Sequence, residues 1–359
     1  MNQLASALSF VEPFWWARTM FGETVIPVAD KPGGGAVVKL AFTPLAMPMI
    51  RNCTQAQTYQ AGRDFHWQLD SREIHIPSDS RITVLTQDQL YRPANSQKHG
   101  LCRDRDNDIL FATKDEYHQL QTEVTYTFDP GDWQAPKTMQ PTHALPRTAS
   151  QLAQADHLSV VLLGDSISVG ANASGMFDVP PNMPPYGQLF CNAMIQQFGR
   201  PVNLVNLSVG GKNSQWGLEQ IDEVIKHQPD LVILAFGMND ASGDCAPEKF
   251  QSQIQQHIDA IKEKLPESEF ILVASMAANA QWVHARPALY PQYRDALAAL
   301  QCQGVVLADV YSLWQEMVAR KNYLDFTGNG LNHPNDFGQR LYAQVLWSTL
   351  IQATKIKPS

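Results

Sequence analysis

Large apolar residues alternate with polar ones at Phe65, Trp67 and Leu69, at Ile74 and Ile76, at Ile82 and Val84, and at Val124, Tyr126 and Phe128. A period of two is the mark of a strand with one buried face. Turn-forming clusters at 31–35, 61–64 and 77–80 separate these stretches. Short alternating strands between frequent turns predict a two-sheet antiparallel sandwich over residues 1–135. Near residue 150 the rhythm changes. Residues 159–163, 231–236, 270–274 and 305–308 are unbroken apolar runs, the pattern of strands buried on both faces of a parallel sheet. Between them Phe250, Ile254, Ile258, Ile261 and Leu265 recur at helical spacing, with Pro247 placed for a first turn. Alternating strands and helices predict a doubly wound α/β domain over 155–359, its ligands at the carboxyl ends of the strands. Residues 136–154, with Pro136, Pro141 and Pro146 and few large apolar side chains, read as the linker.

Composition narrows the function classes. The 359 residues are 44% apolar and 17% charged, which supports a sizeable core and excludes a disordered chain. With 35 acids against 27 bases the net charge is −8, a balance that disfavours nucleic acid and anionic membrane as partners. No apolar run approaches the ~20 residues of a membrane span. The start lacks a basic region and meets Glu12 and Pro13 early, so a cytoplasmic location is expected. A leader removed beforehand would make the protein secreted or periplasmic instead. Cys53, Cys102, Cys191, Cys245 and Cys302 lie too far apart for a zinc or redox motif. Reduced thiols are expected, with one bridge left open. The ten histidines show no H-x-x-x-H pair, so no metal and no cofactor is expected.

Chemistry is therefore sought just past the apolar runs. Four segments stand there: Gly164, Asp165 and Ser166; Gly210 and Gly211; Gly237, Asn239 and Asp240; and Asn332, His333 and Pro334. Singly, each reads as a turn, a helix cap or a loop. Together and in this order they resemble the four blocks of the SGNH/GDSL hydrolases over about residues 156–355. The resemblance implies a flavodoxin-like three-layer α/β/α domain, preceded here by a smaller all-β, jelly-roll-like sandwich. It further implies Ser166 as nucleophile, His333 as general base and no metal. The oxyanion hole would be formed by the backbone N–H groups of Ser166 and Gly211 with the Asn239 side chain. A serine hydroxyl needs a positioned imidazole to take its proton, and the tetrahedral intermediate needs donors fixed in advance. Asp165 reads as structural.

One departure concerns the acid that orients the histidine. The family usually carries it three residues earlier, where this chain has Gly330. Two orienters are open: the Gly330 backbone carbonyl, which makes a dyad, or Asp325 folded back across the glycines.

An N-terminal sandwich before such a domain resembles carbohydrate esterases, implying a short acyl group, an O-acetyl, on a polysaccharide or a smaller acylated molecule. Trp216 and Trp282 are the candidate substrate rim, with core packing as the plainer account of each. A lipase or thioesterase acting on a non-sugar ester, and an acyltransferase using the same serine, are the alternatives. A catalytically silent glycan-binding module is disfavoured by the intact four blocks. Oligomeric state is not readable.

Overall fold

An apolar run buried on both faces must satisfy its backbone polar groups within a sheet. The computed structural model describes residues 7–356. In it five strands of the second part do so: β1 Leu158–Gly164, β2 Val202–Asn206, β3 Leu231–Ala235, β4 Glu269–Ala274 and β5 Val305–Asp309. All neighbours run parallel, in the order β2-β1-β3-β4-β5. This is a doubly wound order, and its topological switch lies between β1 and β3. Every residue of β3, β4 and β5 is buried, so helices cover both faces and the α/β class expected of this part holds. The β2 strand has no apolar run because it is an edge, with Asn203 and Asn206 exposed. Helix α1 Tyr186–Phe198 packs on α4 Asp336–Thr354, and α2 Pro247–Lys264 packs on α3 Leu289–Ala299. Pro247 opens α2, which buries Phe250, Ile254, Ile258 and Ile261 as their spacing requires.

Among the described residues the first part holds three further sheets, the smallest a two-stranded antiparallel pair of Tyr91–Pro93 with Asn107–Ile109. Thr19–Val25, Thr122–Thr127 and Met49–Asn52 form an antiparallel one, with Thr122–Thr127 in the middle. Short strands in the order His66–Trp67, Glu73–Ile76, Ala36–Lys39, Val28–Ala29 and Leu85–Thr86 form the second, antiparallel except for the last pair. Glu73–Ile76 keeps its alternation, burying Ile74 and Ile76. The alternation at 81–84 makes no strand. Arg81 turns to the buried Asp64 carboxylate, its Nε 2.8 Å from Oδ1, and pairing begins only at Leu85. Residues 136–154 carry structure of their own. Pro146–Gln154 is a helix opened by its proline, and Glu269 at the start of β4 accepts the N–H groups of Arg147 and Thr148 at 3.0 and 2.7 Å.

The two parts share a polar seam. Helix α4 is buried nearly throughout, including Gln339, Arg340, Gln344, Ser348 and Thr349. Its outer side faces the first part. Arg340 donates to the Gly22 carbonyl at 2.6 Å, Asn335 to the Thr24 hydroxyl at 2.9 Å, and Gln344 accepts the Phe14 N–H at 3.4 Å. Buried Lys321 lies 2.6 Å from Glu23 and 3.6 Å from Asp325. Phe14 itself packs among Phe42, Phe128 and Trp133. All five cysteines are free thiols. Among the described residues no helix is long and apolar enough to cross a membrane.

Candidate active site

The four segments meet at the carboxyl edge of the sheet, around the switch between β1 and β3. Gly164 ends β1 against β3; a β-carbon there would lie 2.5 Å from the Ala235 carbonyl oxygen. Asp165 then caps the short helix Ser166–Val169 by accepting the Ile167 N–H at 2.9 Å. Burial pushes its carboxyl up to about 7. It builds the turn that presents Ser166.

Gly210 and Gly211 form the turn after β2, and a β-carbon on Gly210 would lie 3.7 Å from that of Ser166. Gly211 has φ +77°, with open space where a side chain would stand. Its glycine is required by the backbone angle rather than by a close neighbour. Asp240 ties this turn to β3, its carboxylate accepting the Ser214 and Gly237 N–H groups at 3.1 and 3.0 Å. Asn239 donates one amide hydrogen to the Lys212 carbonyl at 2.8 Å, and its second remains for a ligand. Thus Ser166, Gly211 and Asn239 come together as the sequence places them.

His333 stands on a loop closed by the bridge between Thr327 and Pro334 and by the Gly328 N–H on the His333 carbonyl at 2.9 Å. Asn329 organises it from within: one side-chain oxygen accepts the N–H groups of Leu331, Asn332 and His333 at 2.9, 3.0 and 3.1 Å. His333 Nε2 lies 2.9 Å from Ser166 Oγ. Burial holds the imidazole down to about 4, so it is neutral near pH 7 and able to accept the hydroxyl proton.

Neither anticipated orienter reaches the ring. Asp325 accepts the Ile26 N–H at 2.8 Å and faces Lys321, while burial pushes its carboxyl up to about 6. The Gly330 carbonyl accepts from Asn279 at 3.0 Å. Both serve the seam and the loop. His333 Nδ1 instead meets Asn172 Oδ1 at 2.7 Å. The only local signal for this residue is its type: Asn172 sits at φ +64°, a backbone region that asparagine tolerates better than most residues.

Of the two candidate rim tryptophans, Trp282 is corrected. It is buried, donating its indole N–H to the His99 carbonyl at 2.7 Å, and so packs between the two parts. Trp216 is half-buried one turn past Gly211, with Lys212 Nζ 5.6 Å from its ring centre.

The sequence model of the GDSL-like lipase/acylhydrolase family matches residues 162–341, half of the chain. A curated arylesterase of Vibrio mimicus is 28% identical over 105 residues, covering 29% of this chain and 48% of that protein. The match thus spans about half the length of that relative. An acetylxylan esterase of Geobacillus stearothermophilus aligns at TM-score 0.44 and 15% identity, over 56% of this chain and 95% of that one. A lipase/acylhydrolase of Enterococcus faecalis aligns at TM-score 0.42 and 22% identity, over 56% and 98%.

Proposed function

Because this chain belongs to the GDSL-like lipase/acylhydrolase family, we propose that it is a serine esterase for short acyl groups, acting on O-acetyl esters of a carbohydrate. One observation carries the mechanism: the 2.9 Å approach of a neutral imidazole to Ser166 Oγ. His333 takes the hydroxyl proton as Ser166 attacks the ester carbonyl, then returns it to the leaving alkoxide. Water, deprotonated by the same ring, hydrolyses the acyl-enzyme. Negative charge on the former carbonyl oxygen falls to the N–H groups of Ser166 and Gly211 and the free Asn239 hydrogen. Ser166 opens a helix, so its N–H has no partner within it.

The sequence flanking the four blocks offers no long apolar stretch to read as a lid, which supports a short acyl group. Trp216 offers an aromatic face beside the Gly211 turn, which a sugar ring would take in place of Lys212. We read the three-stranded and five-stranded sheets of the first part as a sandwich that stands on the histidine side of the site. The test is acetate release from a panel of acetylated oligosaccharides, beside p-nitrophenyl esters of rising chain length. The expected result is kcat/KM falling steadily beyond the butyrate. Faster turnover of octanoate or longer esters than of acetate would overturn the short-acyl reading.

A further inference from the structure

The contacts of Asn172 reach beyond the histidine. Its Nδ2 donates to the Lys114 carbonyl at 2.9 Å, and its Oδ1 faces His333 Nδ1 at 2.7 Å. A carbonyl oxygen only accepts, so Lys114 decides which end of the amide carries the hydrogens. With the NH2 end turned to Lys114, the oxygen is left for the ring. Nδ1 must then carry the ring's hydrogen, and Nε2 is bare toward Ser166. The reversed amide would donate to Nδ1, move the hydrogen to Nε2 and leave no base for the serine.

The same segment of the first part explains the missing acid. Gly330 has φ +87°, and a β-carbon there would overlap the Leu110 carbonyl oxygen and the Tyr117 hydroxyl. No side chain fits where the acid would stand. The segment is seated along the histidine loop: the Ala112 N–H donates to the Asn329 carbonyl at 3.2 Å, and Gln121 to the Thr327 carbonyl at 2.8 Å. Asn172 is buried against that loop as well, since a β-carbon on Gly328 would lie 2.5 Å from the Asn172 Cβ.

We propose that Asn172 is the positioning residue for His333, and that the first part of the chain sets the histidine's tautomer through the Lys114 carbonyl. This rests on the Ser166 and His333 reading above. It makes the segment that carries Ala112, Lys114 and Gln121 a support of the catalytic centre, since none of these residues touches the reacting atoms. A neutral amide here replaces a carboxylate, so the ring is oriented without being made more basic.

The experiment uses the full chain. Nitrogen-15 NMR of histidine-labelled protein, with His333 assigned by the signals lost in His333→Gln, reads the tautomer directly. Wild type is expected to hold the hydrogen on Nδ1. Asn172→Gly removes the amide without strain, because glycine accepts φ +64°. It should let the Nε2–H tautomer appear and lower kcat about 100-fold with KM within twofold, less than the ~10⁴ lost with a triad Asp. Asn172→Asp keeps an acceptor and adds charge. It should retain kcat within about tenfold and move the acid limb of the rate profile upward by more than about one pH unit, because a carboxylate favours the imidazolium. Wild-type His333 with its hydrogen on Nε2 would overturn the proposal, as would an unchanged tautomer and kcat in Asn172→Gly. Should Asn172→Gly not fold, the wild-type tautomer alone decides. An inactive wild type would instead count against the esterase reading.

Discussion

The serine turn and the histidine loop face each other across 2.9 Å, yet they are built in opposite ways. Around Ser166 the contacts stay within the second part: Asp165 bonds Ile167, two residues on, Asp240 bonds Gly237, three residues back, and Asp240 and Asn239 reach Ser214 and Lys212 on the neighbouring turn. Around His333 the closing contacts come from far along the chain. Ala112, Lys114, Gln121 and Ile26 reach the loop, Asn172 or Asp325 from the first part. The chemistry of the site is thus carried by short motifs, while the aim of its histidine is set across the seam between the two parts. Changes in the turns should act on turnover, and changes along the seam should act first on stability.

The largest effect should come from the two groups where the regions meet. Ser166→Ala and His333→Ala should each lower kcat on an acetyl ester by about 10⁴-fold or more, with melting temperature nearly unchanged. A variant retaining a few per cent of turnover would break the assignment of that residue. Next comes the local side alone. Asn239→Ala should cost about 10²–10³ in kcat with a small change in KM; a raised KM at constant kcat would make Asn239 a binding residue instead.

A third measurement separates the buried histidine from an ordinary one. With the imidazole held to about 4, the base is lost only as pH falls through that value. Activity at pH 5.5 should therefore stay near its plateau. An unperturbed ring of pKa about 6.5 would leave roughly a tenth, so a profile already collapsing at pH 6 would contradict the burial argument. The smallest kinetic effect belongs to the seam. Asp325→Asn should change kcat less than about tenfold, since the carboxylate faces Ile26 and Lys321 rather than the ring. Stability should instead fall by about 1–3 kcal/mol, read by urea unfolding, as the Lys321 charge loses one of its two partners. A collapse in kcat with unchanged stability would restore Asp325 as an orienter.

Much of this was legible in the order of the residues. Unbroken apolar runs placed four of the five parallel strands, because a strand covered on both faces has no polar side to show. The β2 strand escaped that rule by being an edge. Ser166, Gly211, Asn239 and His333 were singled out because four short segments, each contiguous in sequence, together resemble the blocks of the SGNH/GDSL hydrolases, although singly each reads as a turn, a cap or a loop. Only the tertiary structure decided what holds the histidine. The groups involved at Leu110, Ala112 and Lys114 are backbone N–H and C=O, which nearly every residue possesses, so no pattern of side chains announces them. The same limit explains helix α4. Phe337, Leu341 and Val345 mark one buried stripe, but Gln339, Arg340 and Gln344 are buried too, bonded to Tyr186, Gly22 and Phe14, all more than a hundred and fifty residues away. Local periodicity determines which face of an element is apolar. It holds no information on which distant carbonyl will meet the polar face, and that is where the aim of His333 was set.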